Sequence, residues 1–238
     1  MNAVLFVGSV IFFLGSVIVL YKLFGKSGLY AYICFATILA NIQVCKSIEI
    51  FGVATTAGAV LYASTFCCTD VLSENHSKED AAKAVWLGVA VNLLWICGTQ
   101  ITLVFAPSAS DYIQPSLEVV FGMVPRISFA SLLSYVISQR LDVFMYHLIW
   151  QKTGNDKKGL WIRNNGSTLV SQSVDTVLFV TVALYGTMPN NVFVQVLGTT
   201  FLFKAVVALF DTPFVYIARH VHPIGSEQKG NAKNVQAA

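Results

Sequence analysis

Seven stretches of the chain are apolar almost throughout: residues 3–21, 28–50, 53–73, 84–106, 121–150, 167–188 and 192–218. Each is about as long as the ~20 residues that a helix needs to cross a hydrocarbon core at 1.5 Å per residue. The pattern predicts an all-α, polytopic helical membrane protein of about seven transmembrane helices, a six-helix core plus one. The connectors are short, so residues 1–222 form a single transmembrane domain, while residues 223–238 read as a polar, disordered cytoplasmic tail. The first run lacks a basic leader and is long enough to span, so it is read as a retained helix and not as a signal peptide.

Basic residues orient the bundle. Lys22 and Lys26 fall in the first connector, Lys78 and Lys83 in the third, Lys152, Lys157, Lys158 and Arg163 in the fifth, and Arg219, Lys229 and Lys233 after the last run. The intervening connectors hold none. By the positive-inside rule the N-terminus lies outside and the C-terminus in the cytoplasm. Composition agrees with a membrane setting: 55% of residues are hydrophobic, 11% are charged, and mean hydropathy is +0.67. The formal charge of +3 lacks the aromatic interleaving of a nucleic-acid surface. Five cysteines, odd in number and without CxxC spacing, suggest neither a disulfide frame nor a metal site. No motif calls for a cofactor.

Several ionisable residues interrupt the apolar runs, where each costs about 2.5–3.5 kcal/mol on insertion scales and so faces a bundle interior. Two segments stand out, SQRLD (138–142) and SQSVD (171–175). In each, Ser, Gln and Asp share one helix face. Asp142 and Asp175 both fall about 12 Å from the cytoplasmic ends of antiparallel neighbours, which predicts similar depth. Hydrogen bonding between helices accounts for Ser and Gln but poorly for two carboxylates. Gln139, Asp142, Gln172 and Asp175 are therefore read as lining a site for a flat, hydrogen-bonding ligand.

Asp211 lies at a similar depth, with Pro213 freeing the carbonyl of Leu209. Asp70 also points to the cavity, with Glu74 nearer the interface. Asn41 fits either packing or ligand binding. Lys204 is too far along its helix to pair with Asp211 and is free to neutralise a charge on another span. Lys46 and Glu49, three apart, are expected to pair on span two, and Arg126 to snorkel at the outer end of span five. Trp161, Arg163, Asn164 and Asn165 precede span six as a turn or inner gate, with Ser167 or Thr168 capping the helix. Lys46, Glu74, Arg126, Arg163, Asn164 and Lys204 are thus candidates for gating or coupling. Gly8 and Gly15, seven apart, suit either bundle packing or a homo-oligomer seam.

No hydrolase elbow, zincin motif or Walker sequence is present, and the Gly-x-Gly-Asp context of intramembrane aspartyl enzymes is missing. An enzyme is not expected. ANIQVCK (40–46), TDVLSE (69–74), AVWLG (84–88), RISFAS (126–131), SQRLDV (138–143), LWIRNNGST (160–168) and SQSVDTVLF (171–179) together resemble the YhhQ-type queuosine precursor transporters, also called the vitamin uptake transporter family. The resemblance covers residues 40–179; CCTD (67–70) and NHSKED (75–80) depart from it. It implies a multi-pass protein of the bacterial inner membrane that imports 7-deazaguanine bases: the cyano precursor, the aminomethyl precursor or queuine. Phe144, Tyr135 and Phe179 are candidates for an aromatic wall. Alternating access about a midplane site fits, with facilitated or ion-coupled movement. The alternatives are a substrate-binding subunit of an energy-coupling-factor system and an aspartyl enzyme.

Overall fold

The computed structural model describes residues 1–43, 46–50, 53–122, 124–154, 157–186 and 189–224. The tail from 225 onward and Cys45 lie outside the described residues. Among those described are eight helices: α1 (Asn2–Phe24), α2 (Lys26–Gln43), α3 (Ala59–Asn75), α4 (Lys78–Val104), α5 (Gln114–Gly122), α6 (Val124–Thr153), α7 (Lys157–Leu184) and α8 (Asn190–His220). Seven correspond to the seven apolar runs, and α5 is an addition within what reads as the 107–120 connector. α1, α4 and the Phe193–His220 part of α8 are each long and apolar enough to cross a membrane; α5 and α6, at 44° to one another, make a fourth if they are one bent span.

The polarity of this fold is inverted. Phe12, Trp86, Leu94, Phe129 and Phe210 are exposed, while Asp70, Asp142, Asp175 and Asp211 are buried. An apolar exterior around a polar interior is what a lipid environment selects. α3 lies centrally and is buried on all sides from Ala63 to Ser73, with α1, α2, α4, α6 and α8 around it. α1 turns Val10, Leu14, Val17 and Tyr21 inward at helical spacing. α6 and α7 form the most extensive helix pair, an antiparallel hairpin.

Local chemistry sets the turns. Gly25, at φ 60°, ends α1 in the left-handed region, its N–H donating to the Tyr21 carbonyl at 2.8 Å. Ser77 caps α4 by accepting from the Asp80 N–H at 3.1 Å, with Glu79 and Asp80 in the first turn. At Gly88 a Cβ would meet the Tyr135 hydroxyl at 2.3 Å, so only glycine lets α4 approach α6 there. The α1–α2, α3–α4 and α6–α7 turns and the C-terminal end of α8 gather at one end. Lys26 bonds Asp80 there, Asn75 donates to the Ala218 carbonyl, and the Ile224 N–H donates to Lys22. This basic end faces away from a short antiparallel hairpin, β1 (Ser47–Ile50) with β2 (Val53–Thr56), in the register Ser47↔Thr56 to Ile50↔Val53.

The hairpin corrects two expectations. The runs 28–50 and 53–73 are not helical throughout, because Ser47–Ile50 pairs antiparallel with Val53–Thr56, Ile48 opposite Thr55, Glu49 opposite Ala54 and Ile50 opposite Val53. Lys46 and Glu49 therefore share no helix face; both are exposed, one before the hairpin and one in it. A further correction, on α7, concerns LWIRNNGST. It is no turn, since α7 begins at Lys157 and carries Arg163 to Thr168 in its interior. Ser167 accordingly bonds the Asn164 carbonyl within the helix and does not cap it.

Candidate functional site

The two Ser-Gln-x-x-Asp segments exchange partners. Ser138 on α6 donates to Asp175 on α7 at 3.0 Å, and Ser171 on α7 donates to Asp142 on α6 at 2.9 Å. This reciprocity follows from antiparallel packing of two faces with the same spacing. It also corrects the expected equal depth: Asp142 sits level with Ser171 and Asp175 level with Ser138. The carboxylates are thus four residues apart along the pair, ~6 Å or one helical turn.

The motif partners diverge beyond that exchange. Gln139 is tied to α3, its amide nitrogen donating to Thr65 at 2.9 Å and its amide oxygen accepting from Thr69 at 3.2 Å. Gln172 is fully buried, yet neither its nitrogen nor its oxygen has a hydrogen-bond partner. Asp175 pairs with Lys204 of α8, as one reading of Lys204 anticipated, and accepts from Tyr62 of α3 at 2.6 Å. The Lys204 ammonium also lies 5.1 Å from the Tyr62 ring centre. Asp142 has no such cation and instead neighbours Asp70.

α3 and α8 complete the group. Asp70 accepts from Thr168 at 3.2 Å. Asp211 accepts from Asn164 at 2.9 Å, and Asn165 donates to Thr212 at 2.8 Å. Asp70, Asp142 and Asp211 stand close enough for their charges to act on one another. α8 runs unbroken through Pro213. Besides Gln172, the buried atoms without partners here are Asp70 Oδ1, Asp142 Oδ2, Asn164 Oδ1 and Asn165 Oδ1, all acceptors. Native interiors leave few polar atoms unpaired, so such a concentration marks a place that meets a ligand or water. Among the described residues no group of three His, Cys, Asp or Glu side chains is arranged to hold a metal ion.

A second polar assembly lies nearer the basic end. Arg163, buried completely, forms a two-pronged bond to Glu74 at 2.9 and 2.5 Å and donates to the Gly154 carbonyl at 3.1 Å. Tyr146 donates to the same carboxylate at 2.7 Å, Arg219 approaches it at 3.4 Å, and the Trp150 ring stacks under the guanidinium at 4.5 Å. Glu74 is therefore an internal anchor and not an interface residue, because Arg163 comes down onto it from the first turns of α7.

Other candidates stand apart. Asn41 donates to Asn92 of α4 at 3.0 Å and to the Thr37 carbonyl, joining α2 to α4. Arg126 is exposed and caps the far end of α7 through the carbonyls of Val182 and Tyr185. Phe144 is 51% exposed and cannot serve as an inner wall. Tyr135 is buried against Gly88, while Tyr62, absent from the expected set, is the aromatic residue that meets the Asp175–Lys204 pair. Thr65, Thr69 and Thr212 also escape the sequence reading, although Thr65 and Thr69 share a helix face as an i, i+4 pair, and Asn165 and Thr168 enter it only as gate and cap residues.

Comparison with known proteins is consistent with this arrangement. A family described as "Putative vitamin uptake transporter" matches residues 56–218, which include every residue of the buried polar group. The chain is 43% identical over 207 residues to a "Probable queuosine precursor transporter" of Bacillus subtilis (strain 168), covering 87% of this chain and 90% of that one. It is 27% identical over 135 residues to a protein of the same description from Haemophilus influenzae (strain ATCC 51907 / DSM 11121 / KW20 / Rd), covering 57% and 54%. No solved structure matches. The relatives are described as transporters, and a polar layer held inside an apolar bundle suits that role: this chain is a membrane protein of the vitamin uptake transporter family.

Proposed function

We propose that the protein imports queuosine precursors, 7-deazaguanine bases, across the bacterial inner membrane by alternating access. The observation that carries the reading is the buried layer on α3, α6, α7 and α8, in which Gln172 and the free oxygens of Asp70, Asp142 and Asn164 lack partners. A deazaguanine offers a complementary edge: N1–H and the 2-amino group donate to a carboxylate, and the carbonyl accepts from an amide. The relative matched over 90% of its own length bears the description of a probable queuosine precursor transporter, which supports the same substrate class.

Residues 1–222 act as one transmembrane unit, with the basic end in the cytoplasm by the positive-inside rule. The binding residues in this reading are Gln172, Asp70, Asp142 and Asp211, with Gln139 and Asp175 holding the helices that carry them. Arg163 and Glu74 clamp α7 to α3 on the cytoplasmic side and form the inner gate, which opens when that clamp releases. Asn41, Lys46 and Arg126 belong to the outer half. With no ATP motif, movement is facilitated or ion-coupled. The test is rescue of tRNA queuosine in a host that can neither make nor import the precursor: expression of this chain alone restores it when the base is supplied. Rescue only alongside a separate ATP-driven module would favour an energy-coupling-factor subunit, and no rescue with any deazaguanine would sink the reading.

A further inference from the structure

The buried charges do not balance. Asp175 is matched by Lys204, and Glu74 by Arg163 with Arg219 at its side. Asp70, Asp142 and Asp211 are each 1% exposed or less and lie within one another's field; Asp70 and Asp142 are within hydrogen-bond reach of each other, and their other partners are hydroxyl and amide groups, among them Thr168, Ser171 and Asn164, with no basic side chain paired to any of the three among the described residues. Clustered acidic side chains say little alone, but a second observation points the same way. Asn164, fully buried and bonded to Asp211, leaves its amide oxygen without a donor. With Asp70 Oδ1, Asp142 Oδ2 and Asn165 Oδ1 the layer has a surplus of acceptors. Gln172 lies one turn beyond Thr168, which bonds Asp70, and is adjacent to Ser171, which bonds Asp142. Its unpartnered amide therefore borders the same layer.

A neutral base edge occupies one carboxylate in a bidentate bond and leaves the remaining negative charge unanswered. A nitrile makes matters worse, since it only accepts. An ammonium group answers both deficits, bringing one positive charge and three donors with no acceptor. A bare metal ion answers only the charge, and the carboxylates are not arranged to cage one. We infer that the layer selects a cationic ligand, the 7-deazaguanine with a protonated aminomethyl arm over its neutral cyano counterpart, and that Asp70 and Asp142 seat the ammonium. This rests on the transport reading above and narrows it.

The test is calorimetric binding to the full chain in lipid nanodiscs at neutral pH, with three probes: the aminomethyl, hydroxymethyl and cyano deazaguanines. The hydroxymethyl compound matches the amine in size and lacks its charge. The amine is expected to bind about tenfold more tightly than either neutral probe, as charge-assisted bonds exceed neutral ones by roughly that factor. Asp142→Asn and Asp70→Asn should lower amine binding and bring the amine-to-hydroxymethyl ratio toward one. Equal binding of all three probes by the unaltered chain would overturn the charge inference and leave the transport reading standing, whatever the variants do. An unchanged ratio in both folded variants would overturn the seat and with it the proposal. Binding of none of the three would defeat both readings together.

Discussion

The segments 138–142 and 171–175 share Ser, Gln and Asp at the same spacing, yet the bundle treats them differently. The α6 copy has its amide locked between two threonines and its carboxylate beside another acid. The α7 copy has its carboxylate locked by Lys204 and Tyr62 and its amide free. Between them they supply one fixed amide, one fixed carboxylate, one free amide and one uncompensated carboxylate. Local sequence sets the shared face; the neighbours on α3 and α8 decide which half of each motif is structural and which half is available.

The sharpest way to break that contrast is to remove Lys204. Lys204→Ala strands a buried Asp175, and a loss of about 3–5 kcal/mol is expected in thermal or denaturant unfolding of the detergent-solubilised protein, with most of it recovered in Lys204→Met/Asp175→Leu. Stability unchanged by Lys204→Ala would mean that the pair holds nothing. The two glutamines should separate next. Gln172→Ala is expected to reduce precursor uptake about tenfold or more while leaving stability within about 0.5 kcal/mol, as it breaks no bond of the folded chain. Gln139→Ala should do the reverse, costing about 2 kcal/mol of stability through two lost buried bonds, with uptake falling only in proportion to the folded fraction. Identical phenotypes for the two would erase the asymmetry. The smallest effect concerns what the motifs share: Ser138→Ala and Ser171→Ala each remove one reciprocal bond, and matched losses of about 1 kcal/mol are expected in the same unfolding assay.

Much of this was legible in the chain. Hydropathy locates α1, α4 and α8 because their outer faces must be apolar, and the intramembrane acids mark the interior because lipid would reject them. Other features depend on partners distant in sequence. Asn164, Asn165, Gly166 and Ser167 are weak helix formers, so they read as a turn. They are helical because Asp211, Thr212 and neighbouring turns take up their side chains. Arg163 looks like a surface charge obeying a topology rule, and only the approach of Glu74, Tyr146 and Trp150 makes it a buried clamp. The hairpin was within reach: SIEI followed by VATT, β-branched and alternating around Phe51-Gly52, carries a strand signal that continuous hydrophobicity concealed.

The Arg163–Glu74 clamp joins residues 89 positions apart, and that distance has a cost in time during synthesis. At ~5–20 residues per second, α3 emerges with Asp70 and Glu74 some 4–18 s before the α7 groups that receive them. A helix bearing two unanswered acids is a poor guest for lipid over that interval. Glu74, the second acid of α3, therefore goes without its guanidinium until about two-thirds of the chain has been made.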